Sequence, residues 1–147
     1  MKSAQVVLNG AEMALLVAAV FMLANWSFER EAARLLVNPD IRDAADELAE
    51  RLASQWQAHL ASVGLWASSS GTWTKELIEQ RAQQKIDLVL SDGDTRFALT
   101  ALRAVFLEFE TNFAELCVAA PGALQWYPVE VADLERLAAR LSSTEPG

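Results

Sequence analysis

The sequence predicts an all-α fold: one long N-terminal helix, read as transmembrane, followed by an antiparallel bundle of about four helices. Three observations predict it. Glycine is sparse, and the four prolines fall where helix boundaries are expected. From residue 39 onward, apolar residues recur three and four positions apart. Between them, Met13–Ala24 runs twelve apolar residues without a break.

The first helix is expected over about 4–37. Gln5, Asn9 and Glu12 form one polar stripe that vanishes after Glu12 and returns only at Asn25, Ser27 and Glu29. A helix apolar all round must be enclosed by protein or by lipid, and a small bundle has few helices to enclose it with. The 23 residues Val6–Phe28 would measure about 34 Å as a helix, against a bilayer core of about 30 Å. Trp26 and Phe28 stand where an interfacial aromatic belt would lie. The expectation is therefore a membrane anchor at about 6–28 within an N-terminal segment 1–37. A bundle domain follows at 38–142, then a frayed tail at 143–147. Arg30, Arg34 and Arg42 follow the span and favour a cytoplasmic bundle. The alternative is a soluble, cytoplasmic five-helix bundle that buries its first helix.

Asn38-Pro39-Asp40 starts the second helix, with Asn38 as N-cap and Pro39 at the first helical position. It is expected to run to about residue 67, with Ile41, Ala45, Leu48, Leu52, Trp56, His59 or Leu60, Val63 and Trp66 inward. Ser68-Ser69-Ser70-Gly71 reads as a loop and Thr72 as the cap of a third helix reaching about residue 90. Ser91-Asp92-Gly93-Asp94 reads as a turn and cap. A fourth helix follows over about 95–119, stopped by Pro121-Gly122, and a fifth runs from Pro128 to about residue 141. No sustained strand alternation and no internal repeat stand out.

The formal net charge of -8 disfavours nucleic-acid binding. One cysteine allows no internal disulfide, and with one histidine it leaves little for a zinc site. No cofactor motif is present, and the chain reads as a binding or regulatory protein rather than an enzyme. Membrane lipid is the expected partner of the first helix, where Gly10, Ala14 and Ala18 make a small-residue stripe for helix packing. Glu12 lies nearly opposite, a candidate intramembrane partner group. The protein partner is unknown and includes self-association. Its candidate contacts are the aromatic residues Trp66, Trp73, Trp126 and Tyr127 and the acidic face Asp43, Glu47 and Glu50. His59 could act as a base only with an orienting carboxylate and a pocket, and otherwise reads as a packed residue. Glu108, Glu110 and Glu115 read as a solvated edge, and Cys117 as a packed thiol.

Overall fold

Residues 3–9 show why the first helix is shorter than its composition suggests. Val6 and Leu8 are buried while Gln5, Val7 and Asn9 are exposed, a two-residue period that belongs to a strand. The computed structural model describes residues 3–66, 74–120 and 124–144. In it, strand β1 (Ser3–Asn9) leads without a linker into helix α1 (Gly10–Asn25). The Asn9 carboxamide accepts from the Glu12 amide at 2.8 Å, and Glu12 returns a bond from the Asn9 amide at 2.9 Å. That capping box fixes the helix start.

Helix α1 ends at Asn25. Trp26 is extended and its amide donates to Met22 O. Arg42 then donates from its guanidinium to Ala24 O and Trp26 O, satisfying two carbonyls that the helix leaves open. The remaining elements are α2 (Glu31–Arg34), α3 (Pro39–Ser62), α4 (Lys75–Ala82), β2 (Lys85–Ser91), α5 (Asp92–Phe109), α6 (Phe113–Ala119), a 3-10 turn at Leu124–Trp126, and α7 (Val131–Thr144). Strands β1 and β2 form an antiparallel ribbon in which Val6 faces Leu88.

The fold is therefore mostly helical but not all-α, and the long first helix is a strand, a 16-residue helix and a short turn of helix. Among the described residues no helix is long and apolar enough to cross a membrane. At about 1.5 Å per residue, α1 spans about 24 Å, short of the bilayer core. This overturns the transmembrane anchor at 6–28, the single-pass arrangement and membrane lipid as the partner of the first helix. The physical reason lies in packing: Leu16, Val20 and Leu23 are each 0% exposed, enclosed by the chain itself. Helix α1 packs chiefly against α3 and α5 and also meets α4, α7 and the 3-10 turn. Four other helices, the 3-10 turn and both strands of the ribbon meet α1 and together sheath it.

Two other expected helices divide. The third becomes α4 and β2, because Ile86, Leu88 and Leu90 are buried while Lys85, Asp87 and Val89 are exposed. The fourth breaks into α5 and α6 at Glu110–Asn112, where Asn112 caps α6 through the Glu115 amide. Helix α7 runs from Val131 to Thr144, past the expected end near residue 141 and into the segment 143–147 expected to fray. The expected loop at 68–71, the Thr72 cap and the Pro121-Gly122 stop lie outside the described residues.

Candidate functional site

The small-residue stripe is used inside the chain. Gly10 sits so close to the end of α4 that a Cβ there would lie 1.7 Å from Arg81 O. Only glycine lets the two backbones approach this way. Ala18 is buried and Ala14 half-buried in the common core. Glu12 is both the capping-box carboxylate and the ion-pair partner of Arg140 from α7, which also donates to Val7 O.

A second arrangement of the same kind stands at the start of α5. Ser91 and Asp94 form its capping box. Arg51 of α3 donates from Nη1 and Nη2 to the two Asp94 carboxylate oxygens at 3.1 and 2.6 Å. The hydrogen bond from Arg51 holds the Asp94 carboxyl below its ordinary range, against the opposing effect of burial. Neither latch was apparent in the sequence, because each arginine lies more than 40 residues from its carboxylate.

Trp66 is partly exposed, with the Arg81 guanidinium 5.4 Å from its ring centroid. Arg81 is buried and donates through Nε to Leu65 O. Tyr127 is buried, and desolvation raises its phenol pKa, opposed by the Arg81 charge and by hydrogen bonds with Arg81 and Trp56. Tyr127 thus fastens a connection to the core, whereas Trp126 beside it is 56% exposed. Trp73 lies outside the described residues. Asp43, Glu47 and Glu50 are all exposed on α3.

His59 stacks on Trp56, centroids 6.0 Å apart and planes 9° apart, and its Nε2 meets the Gln84 amide oxygen at 3.2 Å. An amide partner and a stacked ring describe a packed rim residue. Glu108 is not a solvated edge. Its carboxylate accepts from Trp26 Nε1 and from the backbone amides of Glu29 and Arg30. Cys117 is half-buried, and burial pushes its thiol pKa up. Among the described residues, no three His, Cys, Asp or Glu side chains gather to hold a metal ion.

The concave places follow the same logic. A cleft of about 360 Å³ beside the start of α1 contains Glu12, Asp133 and Arg136, but Glu12 pairs with Arg140 and Asp133 with Arg136. A groove of about 480 Å³ between α5 and α7 is apolar, lined by Leu99, Leu102, Phe106, Leu134 and Ala138 among others. Exposed apolar side chains are spread over the surface, with Leu35 after α2 and Val89 on β2 among them, and Val118 on α6 and Trp126 on the adjoining 3-10 turn are 72% and 56% exposed. No protein-family model matches the chain, and no curated protein or solved structure is significantly similar to it.

Proposed function

We propose that the protein is a helical interaction module that acts by binding another protein and not by chemistry. One observation carries this reading. The charged groups set in or beside the packed interior (Glu12, Asp94, Glu108 and Arg81) are engaged in structural bonds, while large apolar side chains remain in water. An enzyme needs the reverse, with polar groups left free to meet a substrate. Trp126 suits a partner anchor, since tryptophan is among the residues that carry most of the energy of protein contacts, and Val118 on the neighbouring α6 adds exposed apolar surface. The acidic α3 face and the net charge of -8 favour a partner with a basic surface.

The test is affinity capture by the native chain beside two variants, V118S/W126A and D43N/E47Q/E50Q. The reading expects a protein retained by the native chain and lost from the first variant, with capture by the second weakened most at low salt. Equal capture by all three chains, or none specific to the native chain, would overturn it.

A further inference from the structure

The two latches are mirror roles in one plan. In the first half of the chain, β1 runs into α1 through the capping box Asn9–Glu12. In the second half, β2 runs into α5 through the capping box Ser91–Asp94. The interval between these boxes is 82 residues. The same interval relates Val6 to Leu88, and these two face one another at the centre of the ribbon. An antiparallel ladder pairs each residue with one running the opposite way. Only one pair in it can be both ladder partners and equivalent positions, and that pair marks a local two-fold axis. Trp26 and Glu108, also 82 residues apart, are joined by a hydrogen bond of 3.3 Å where the ends of α1 and α5 meet.

The core obeys the same interval. Leu16, Ala19, Val20, Met22 and Leu23 are buried on α1, and the residues 82 later on α5 are buried as well. Helices α3 and α7 match at an interval of 89, with Arg51 against Arg140, and Pro39 at the start of α3 falls against Pro128, three residues ahead of α7. Ala45, Leu48 and Leu52 are buried on α3, as are Leu134, Leu137 and Leu141 on α7. The seven additional residues fall between α5 and α7, where α6 and the 3-10 turn replace the short α2. The latches then cross over: α3 of the first half supplies Arg51 to Asp94 of the second, and α7 of the second supplies Arg140 to Glu12 of the first.

We infer that the surface joining residues 3–62 to residues 85–144 is an isologous interface between two copies of one strand–helix–helix unit carried in a single chain. Isologous pairing places the same patch on both sides, so that residue i meets j and j meets i. The ribbon, the α1/α5 packing and the crossed arginines have this character. The partner that each half fits is a second copy of the same unit, and the connection through α4 keeps the two together. This inference stands apart from the interaction reading above.

Equivalence of the halves is tested by moving sequence between them. The variant D87Q/L88V/S91N/D92G/G93A/D94E writes Gln5–Glu12 over residues 87–94. The smaller variant S91N/D92G/G93A/D94E moves the cap alone. A third chain carries the same donor stretch shifted by one residue, which turns its apolar side outward. We expect both in-register variants to unfold cooperatively with Tm within about 10 °C of native. R51A should lower Tm by the same few degrees in both as in the native chain, because Arg51 then latches the glutamate at position 94. The shifted chain should not fold. Failure of the cap variant to fold, or loss of the Arg51 effect in it, overturns the inference. If the cap variant behaves and the eight-residue transplant does not, the likeness ends at the caps and a shared unit is excluded. Equal tolerance of the shifted chain overturns it too.

Discussion

Arg51 grips Asp94 with both terminal nitrogens, and the gripped carboxylate is itself the third residue of α5, bonded back to the Ser91 amide at 3.2 Å. One side chain therefore closes the strand, starts the helix and ties down α3. The Asp94 side chain is 12% exposed and that of Arg51 is 55% exposed, so water screens the ion pair and its own worth stays below about 1 kcal/mol. Loss of the bond from the Ser91 amide to the Asp94 carboxylate, the returning half of the capping box, adds about 0.5–1.5 kcal/mol. Asp94→Ala should cost about 1–2 kcal/mol in urea unfolding, and Arg51→Ala less.

The same pair sets an acid limb. The Asp94 pKa is lowered on folding, chiefly by the Arg51 hydrogen bond. The stability it contributes is present above the ordinary aspartate value of about 3.9 and is lost as pH falls through the depressed folded value. Asp94→Asn should therefore flatten the decline of stability below about pH 4. An unchanged acid limb in that variant would show that other carboxylates govern it.

Gly10 and Gly93 occupy equivalent first turns but opposite surroundings. A Cβ at Gly10 would strike the Arg81 carbonyl, while one at Gly93 meets Ser91 Oγ and the Phe97 ring at 3.8 and 3.9 Å, ordinary contact distances. Gly10→Ala should destabilise by about 3 kcal/mol or more, since backbone must move. Gly93→Ala should be neutral or stabilise by up to about 1 kcal/mol, because alanine favours the helix. Thermal melts of the two variants give the comparison directly.

Much of the helical plan was legible and the ribbon was not. The Asn38-Pro39 start of α3, its inward residues Ala45, Leu48, Leu52 and Trp56, and the inward Leu134, Leu137 and Leu141 of α7 all lie where their spacing places them. Val63 and Trp66 are exposed because α3 stops at Ser62. The strands were hidden by brevity. Val6 and Leu8 alternate for too few residues before an apolar helix begins, and Ile86 with Val89 also fits a helical spacing. Asn9 and Glu12 are three apart, which suits a polar stripe and a capping box equally, and the box ends the membrane reading. The repeat was concealed because the halves share burial and caps more than residue types, and because the interval shifts from 82 to 89 midway. Of the candidate contacts, Asp43, Glu47, Glu50, Trp66 and Trp126 are accessible, while Tyr127, Gly10 and Ala18 serve the interior.

Burial of α1 makes its centre a sensitive place. Leu16 and Leu23 are 0% exposed among α1's neighbours, so truncation leaves a cavity rather than a lipid-facing gap. Leu16→Ala and Leu23→Ala should each cost about 2–5 kcal/mol. A lipid-facing leucine would give far less loss in detergent-free unfolding, so a change below about 0.5 kcal/mol would contradict the enclosure.

Cys117 should alkylate slowly. Burial raises its thiol pKa, and the thiolate is the reactive form. At neutral pH its reaction with iodoacetamide should run slower than that of free cysteine and reach the free rate in denaturant. A rate equal to that of free cysteine in the folded protein would place the thiol in water.

Glu108 binds the turn after α1 the way a receptor binds an anion. Its carboxylate takes the Glu29 amide at 2.9 Å, the Arg30 amide at 2.8 Å and Trp26 Nε1 at 3.3 Å. The chain leaves α1 at Trp26 and must turn before α2, so these donors have no helical acceptor. Glu108→Ala removes the acceptor and leaves them to whatever water can enter, at a cost of about 1–3 kcal/mol. Glu108→Gln keeps one oxygen and should recover part of that loss. Trp26 also packs against the Phe109 ring, centroids 5.7 Å apart, so loosening of the turn should shift Trp26 to a more solvated emission. Glu108→Ala in a background where Trp26 is the only tryptophan should show red-shifted emission and a lower Tm together. A lower Tm with unchanged emission would mean that Glu108 supports the fold through α5 alone, not through its hold on the turn.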